Sequence, residues 1–387
     1  MKSRIGMQIL AISLMFLAAC GGGGGGSSSS TDSSSTTSST GTINVALTDA
    51  STTDYQAIYV TVKQVEVHKD GGESWDVISS PNKTYNLLEL VNGVREELAL
   101  ATLTSGHYTQ MRLILADTPD DSLNIRSVKH PYGNYFIDSS GVSNELKVPS
   151  GYQTGIKIVK GFDINANETT ELILDFDATR SIVKAGKNGK WLLKPTIKML
   201  ATKECSIIEG KAGAEGILVS AQIYDSSAAA EEKVQIQAAT VSDASGNYKL
   251  FLEPGSYTLV GYKDGYSTYY KNTKVVTTSG NTFTENFSLV SAQTGTLSSG
   301  TISISGADSE QYSTISIRQE ATVSGNVEQI EVKSLNVADG GTFSTSLPVL
   351  SVGNYTLVIS SYGKTTQEIT LISITSGLTT DLGDITF

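Results

Sequence analysis

One seven-residue pattern occurs three times in this chain and constrains its fold more than any other feature. The pattern is Leu-x-x-Gly-x-Tyr-Thr, and its copies span residues 103–109, 252–258 and 350–356. Each copy leads into a short apolar run. A leucine anchored in the core, a glycine free to adopt φ > 0 and a buried tyrosine whose hydroxyl binds the corner backbone are typical of a β-sandwich corner. Three copies predict three sandwich modules in series, each with its corner leading into a central strand.

Composition supports an all-β fold of tandem β-sandwich domains. The corner pattern is typical of Ig-like sandwiches, and the resemblance described below for the second module implies a transthyretin (prealbumin)-like one. The chain is rich in Thr, Ser, Gly, Val, Ile and Tyr and has only seven prolines in 387 residues, a profile that favours strands. A chain of this length is too long for a single hydrophobic core and is expected to form two or three domains. Cys20 and Cys205 are the only cysteines. If Cys20 is modified, Cys205 has no disulfide partner, and it is then either a small packed side chain or a reactive thiol.

The charge balance argues against two classes of partner. The chain has 28 Lys and Arg residues against 39 Asp and Glu, a net charge of −11. Two of the bases, Lys2 and Arg4, stand before the first apolar stretch. Such an acidic body repels phosphate backbones and anionic head groups, so we expect neither nucleic acid nor anionic lipid surfaces as partners of the folded part.

The first 40 residues are typical of export and anchoring. After Lys2 and Arg4, residues 5–16 form an apolar stretch too short for a stable membrane-spanning helix. Residues 17–20, Leu-Ala-Ala-Cys, resemble a bacterial lipobox. The resemblance implies a signal peptide at 1–19, thioether lipidation of Cys20 and acylation, including palmitate, of the new amino terminus. The alternative is an ordinary secretory signal with a chance cysteine.

The residues after Cys20 predict a tether and a location. Gly22, rather than an aspartate, stands second after the cysteine, and by the same resemblance this favours the outer membrane of a Gram-negative cell. Residues 20–40 hold the lipid-bearing cysteine followed by a Gly/Ser/Thr linker. Such a sequence buries no core, and a flexible coil of this length spans roughly 25 Å. We therefore expect membrane attachment through Cys20 only.

The first module, residues 41–203, shows strand alternation and then a familiar order of motifs. Ala178 to Ala185 is predicted to form a short helix with Asp177 as N-cap and Gly186 as its stop. The module resembles bacterial and archaeal lipoprotein domains of the domain of unknown function 4382 type, which implies a surface β-domain and no reaction. The motifs that carry the resemblance lie at 47–50, 59–68, 75, 87–90, 106–113, 149–157, 174–178 and 193–195.

Two carboxylates in this module are candidates for a metal site. If Leu172, Leu174 and Phe176 face inward, then Asp175 and Asp177 share the outer face about 7 Å apart along the strand. Such a pair can hold Ca²⁺ together with carbonyl or water ligands. The alternative is that Asp177 caps the helix and Asp175 pairs with Arg180 or a lysine. The three histidines lack the spacing of a zinc site. We expect no cofactor and no metal.

The second module, residues 206–290, combines an Asp-x-x-Gly-x-Tyr turn with a Pro-Gly-x-Tyr corner. It resembles the carboxypeptidase regulatory-like domain, a transthyretin-like sandwich, which implies a non-catalytic appendage and a carbohydrate-binding-like fold. Residues 291–300 are predicted to be a linker, and 301–387 a diverged sister of the second module. The candidates for stacking on sugar rings are Tyr262, Tyr266, Tyr269 and Tyr270. Alternatively, these tyrosines belong to the core and to a strand edge.

These observations favour a non-catalytic protein of the cell envelope. No catalytic serine elbow, zinc-binding helix or phosphate loop occurs in the sequence. We expect no enzymatic activity and no catalytic residues. The predicted function is binding or adhesion, to an unknown glycan or protein ligand. The alternatives are a structural or assembly factor of the outer envelope and, in third place, a hydrolase.

Overall fold

The computed structural model describes residues 39–50, 55–148, 152–185, 190–306 and 311–387. Strands dominate this part of the chain, so the all-β prediction is confirmed. Its helical segments are one turn of α-helix, α1 (Ala178–Ser181), and 3₁₀ turns at Leu87–Glu89, Thr202–Glu204 and Ala230–Glu232. The signal, Cys20 and the linker before Ser39 lie outside the described residues.

The first module is a sandwich of a four-stranded and a ten-stranded sheet. The small sheet has the order β14-β11-β1-β5, and the large one follows β10-β6-β2-β7-β8-β13-β12 with β3, β4 and β9 alongside. The strands are β1 (Thr40–Ala50), β2 (Tyr55–Lys69), β3 (Trp75–Ser79), β4 (Lys83–Asn86), β5 (Glu96–Thr104), β6 (Gly106–Leu115), β7 (Asn134–Asp138), β8 (Ser143–Lys147), β9 (Ile156–Ile158), β10 (Phe162–Ile164), β11 (Thr169–Asp177), β12 (Ile182–Ala185), β13 (Lys190–Leu193) and β14 (Ile197–Ala201).

Side-chain alternation builds the core of this sandwich as the sequence predicts. Ile43, Val45 and Leu47 of β1 are buried, and so are the alternate residues of β11, Leu172, Leu174 and Phe176. They pack in one cluster with residues of β2 and β6 from the large sheet. Because successive strand residues point to opposite faces, this burial leaves Asp175 and Asp177 on the outer face of the small sheet.

The second and third modules repeat one topology. Each pairs a three-stranded sheet, β18-β15-β22 or β27-β23-β30, with a larger sheet, β17-β16-β19-β20 plus β21 or β26-β25-β28-β29. In the second module the strands are β15 (Ser206–Lys211), β16 (Leu218–Tyr224), β17 (Val234–Val241), β18 (Asn247–Leu252), β19 (Gly255–Tyr262), β20 (Tyr269–Tyr270), β21 (Val275–Thr277) and β22 (Thr282–Thr284). In the third they are β23 (Thr294–Ser298), β24 (Ile302–Ser303), β25 (Tyr312–Val323), β26 (Asn326–Ala338), β27 (Ser344–Pro348), β28 (Tyr355–Ser361), β29 (Gln367–Ile372), β30 (Thr379–Asp381) and β31 (Ile385–Thr386).

Each of the three corners carries the chain from one sheet of its sandwich to a central strand of the other. The corner strands β6, β19 and β28 each have neighbours on both sides. Tyr108, Tyr257 and Tyr355 are buried. Their hydroxyls donate hydrogen bonds to the carbonyl oxygens of Thr104 (3.0 Å), Glu253 (2.6 Å) and Pro348 (2.7 Å). The predicted tyrosine corner is therefore present in all three modules.

The glycine prediction holds for two corners and is wrong for the third. Gly106 and Gly353 have φ values of 140° and 88°, where a side chain is strained. Gly255 does not have a positive φ. It is required instead for space, because a Cβ there would lie 2.6 Å from the hydroxyl oxygen of Tyr257. Glycine is thus needed for its positive φ in two corners and for its lack of a side chain in the other.

Two sequence predictions about elements need correction. The helix predicted over 178–185 ends at Ser181, because residues 182–185 form β12 and pair with β13. Pairing with an apolar neighbour overrides a weak local helix preference here. Half of the linker predicted at 291–300 is β23, the middle strand of its sheet. Its buried Leu297 is set among Thr, Ser and Gly, which conceal the alternation.

Residues 38–387 form one compact unit, although each sandwich has its own core. Small apolar clusters join the modules. Ile173 and Leu200 of the first pack with Phe251 of the second, and Val260 of the second packs with Val323 and Ile330 of the third. Over the described residues, the structure contains no helix with the length and apolarity needed to cross a membrane.

Candidate ligand-binding cleft

Residues from all three modules line a cleft of about 440 Å³ at the point where the modules meet; we call it the junction cleft. Asp177 and Arg180 come from the first module, and the second contributes residues of β16, β17 and β19 with the loops beside them. The third module contributes residues 331–334 of β26. Volumes of this order hold small ligands, and junctions between domains are a common place for such sites.

Glu331 is the polar residue that ties the three modules together beside this cleft. Its side chain is only 8% exposed. One carboxylate oxygen accepts a hydrogen bond from the guanidinium of Arg180 at 2.9 Å, and the other accepts one from the hydroxyl of Ser316 at 2.5 Å. Its backbone N–H and carbonyl bind the side-chain amide of Gln222 in the second module, at 2.9 and 2.7 Å. A single residue of β26 therefore contacts both other modules.

Arg180 and Arg318 balance this buried carboxylate. Burial by itself lowers the pKa of Arg180, but Glu331 and Asp177 outweigh burial and raise that pKa above its ordinary value. Arg318 is 1% exposed. It donates to the Ser316 hydroxyl and to the backbone carbonyls of Ala230 and Glu231 in the second module. Buried charges with complete partners hold their neighbours in one arrangement, and removing one partner is costly.

The two candidate metal ligands, Asp175 and Asp177, take part in this same junction. Asp177 caps α1, accepting a hydrogen bond from the backbone N–H of Arg180 at 3.1 Å. Asp175 stands opposite Lys198 of β14, whose ammonium donates to the carbonyls of Ile236 and Gln237 in the second module. Burial, and then repulsion by Asp177, raise the pKa of Asp175 to about 7, against the opposing effect of Lys198.

These contacts favour the structural alternative for the aspartate pair. Asp177 acts as the predicted cap, and Asp175 faces a lysine across the strands. Among the described residues, no group of three or more His, Cys, Asp and Glu side chains is placed to hold a metal ion. Ca²⁺ needs six or more oxygen ligands, which two carboxylates do not supply, and Asp177 is already paired with Arg180.

The four candidate tyrosines do not form one stacking surface. Tyr262 is 5% exposed and donates to Asp264 at 2.6 Å and to the carbonyl of Ser346 at 3.1 Å, packing on the core of the third module. Tyr269 stacks on Phe287 with centroids 4.2 Å apart. Tyr270 packs between the second and third modules. Tyr266 has the Lys263 ammonium 5.8 Å above its ring.

Cys205 is a buried thiol at the first junction. It is 6% exposed, lies in the cluster with Ile173 and Phe251, and donates to the carbonyl of Ser206 at 3.3 Å. Burial is the main reason that its pKa lies above the ordinary value. A buried thiol with a raised pKa is a poor nucleophile, so the structure favours packing over reactivity.

Sequence reasoning missed the residues that make the junction. Arg318 and Glu331 stand opposite each other on β25 and β26, among apolar residues that alternate inward. The one sequence feature that could have indicated a junction was the pair of opposite charges, Arg318 and Glu331, in the middle of two long strands. Such a pair is equally typical of a solvated sheet face, so the strands alone do not indicate that another module covers it.

Comparisons with known proteins agree with the first module and leave the rest unassigned. Residues 40–195 match the family model described as Domain of unknown function (DUF4382), so the predicted domain of that type is confirmed. No curated protein matches the chain.

Among solved structures, the chain is similar to the Bacillus anthracis TIE protein at 12% identity, over 90% of this chain and 50% of that one, with a TM-score of 0.17. It is similar to the Streptococcal ancillary pilin at 10% identity, over 88% and 98% of the two chains, with a TM-score of 0.19. It is also similar to the shaft pilin SpaA from Lactobacillus rhamnosus GG at 9% identity, over 47% of this chain and 96% of that one, with a TM-score of 0.17. The chain thus spans half the length of the TIE protein. Because these TM-scores are far below 0.5, the sandwich assignment rests on this chain's own sheets and cores.

Proposed function

We propose that this protein is a lipid-anchored envelope protein whose non-catalytic body binds a small ligand in the junction cleft. The observation that carries the proposal is the cleft itself, which is formed only when all three modules are docked. Its walls combine aliphatic side chains with charges of both signs, as binding sites for small polar ligands do. The lipobox at 17–20 and the Gly/Ser/Thr tether after it support attachment through Cys20 to the outer membrane.

The alternative of an assembly factor has less support. Such a factor needs a long unpaired strand edge to template a partner strand. The longest edge strand of the described sheets is β26, and its middle is covered by Gln222 of the second module and Arg180 of the first. An adhesin that stacks on sugars is also less favoured, because the four candidate tyrosines are spread among separate packing contacts.

A screen with a matched blocking variant tests the binding proposal. Ala239 lines the cleft on β17, so Ala239→Trp fills it, while Ala166→Trp places the same side chain on an exposed turn. We expect a library of small polar metabolites to yield compounds that raise the Tm of wild type and of Ala166→Trp but not of Ala239→Trp. Compounds that stabilise all three proteins equally, or no stabilising compound at all, would contradict the proposal.

A further inference from the structure

The charged side chains of the junction cleft divide into a closely paired set and a loosely paired set. Arg180 pairs with both of the deeper carboxylates, Glu331 at 2.9 Å and Asp177 at 3.7 Å. The buried Arg318 adds a second positive charge next to Glu331 through the Ser316 hydroxyl. The remaining charges of the lining are Glu215, Lys263, Asp264 and Lys333. They comprise two acids and two bases, so this part of the cleft is dipolar with no net charge.

Lys333 is a largely buried cation with only one distant partner in the described part of the chain. Its side chain is only 18% exposed. Its one ion-pair partner among the described residues is the Asp264 carboxylate, 3.9 Å away, and no hydrogen bond from its ammonium to those residues is formed. An ammonium has three donors, and a largely buried one gains from a closer anion. Asp264, 58% exposed, accepts a hydrogen bond from the Tyr262 hydroxyl and retains acceptor capacity on its second oxygen.

The walls of the cleft favour an apolar group on the ligand, in contrast to the charged pair of Lys333 and Asp264. They are aliphatic, and the lining includes one aromatic ring, that of Tyr262, whose hydroxyl is already hydrogen-bonded. The aliphatic residues of the lining are Leu218, Ile236, Ala239, Val241, Val260 and Val332. Such walls favour a branched alkyl group, whereas sugar rings favour stacking on exposed aromatic faces.

We propose that the junction cleft binds a zwitterionic aliphatic amino acid, with its carboxylate on Lys333 and its ammonium on Asp264. An α-amino acid carries its two charges on one carbon, a few ångströms apart, which suits an acid and a base 3.9 Å apart. Its alkyl side chain lies against the aliphatic walls. This inference rests on the proposed function, because it names the ligand class of the same cleft.

Four probes separate the contributions of the two charges. Leucine carries both charges, 4-methylpentanoate lacks the ammonium, isoamylamine lacks the carboxylate, and N-acetyl-leucine amide lacks both. Titration calorimetry with the full chain in detergent should show binding of leucine and binding at least about ten-fold weaker for each of the other three, since each loses a charge-assisted hydrogen bond. The dipeptide Leu-Leu, whose charges lie further apart, should also bind more weakly than leucine.

Variants then assign each charge to its partner. Lys333→Met should weaken leucine binding and leave isoamylamine unchanged, while Asp264→Asn should weaken leucine and leave 4-methylpentanoate unchanged. Lys63→Met, at an exposed position outside the cleft, is the control and should change nothing. If leucine does not bind, or if 4-methylpentanoate binds as tightly as leucine, the inference is wrong. The proposed function fails separately, only if no compound of the wider screen depends on an open cleft.

Discussion

At the scale of single residues, the corner tyrosines show how one side chain sets a module's geometry. Each has a buried ring between the two sheets and a hydroxyl bonded to a backbone carbonyl of the preceding corner. The residues before them, His107, Ser256 and Asn354, differ, so the shared element is the corner and not a shared ligand. We conclude that these tyrosines stabilise their own modules.

Tyr355 offers the clearest test of this role, since its ring and hydroxyl are both buried. Tyr355→Phe should lower the free energy of unfolding by about 1 kcal/mol, the net contribution of one hydrogen bond. Tyr355→Ala should lower it by about 3–5 kcal/mol, as other large aromatic deletions do. Denaturant unfolding measures both. The same substitutions at Tyr362, which is 95% exposed, are the control, and equal effects at the two sites would refute the structural role.

Asp175 makes the stability of the body depend on pH. The folded state raises its pKa from 3.8 to about 7, so between these values the folded chain holds more protons than the unfolded chain. Stability contributed by the protonated carboxyl is therefore present at low pH and is lost as pH rises towards 7. Asp175→Asn lacks this loss. Its free energy of unfolding should increase relative to that of wild type from pH 5 to pH 8, and parallel pH profiles of the two proteins would contradict this.

At the scale of elements, the sequence predicted what local alternation and corner chemistry determine. The inward faces of β1, β2 and β11 and all three tyrosine corners follow from spacing alone. The conversion of residues 182–185 into β12 and the burial of β23 did not follow, because pairing with strands distant in the sequence decides both. The candidate site could not be predicted from the sequence, because Glu331 and Gln222 lie in different modules and are in contact only where these modules pack together.

At the scale of the whole molecule, the three sandwiches form one body, which we propose is attached to a membrane through a lipid on Cys20. Each module has its own core, while hydrogen bonds that are buried or partly buried join the modules through Arg180, Gln222, Arg318 and Glu331. A cleft shared by three modules exists only in the docked arrangement. Its ligand should therefore stabilise the junction as well as occupy it.

The proposed lipid anchor is tested separately from the fold of the body. Cys20→Ala removes the thiol that lipidation requires, so the precursor should remain unlipidated and the body should be released or mislocalised. Fractionation after salt and carbonate washes measures this, with Cys205→Ala as the cysteine control that keeps the anchor. Equal membrane retention of the Cys20 variant and wild type would exclude the lipid anchor.

The central claim is that the contacts of Glu331 hold the three modules together as one body. Scanning calorimetry of the full chain tests it most directly. Glu331→Gln removes the buried charge that pairs with Arg180, at a cost of about 3 kcal/mol. Glu320→Gln, on an exposed position of β25, is the control. We predict a single unfolding transition for wild type and the control, and separate transitions beginning at lower temperature for Glu331→Gln. Separate transitions in wild type, or one unchanged transition in Glu331→Gln, would contradict the account.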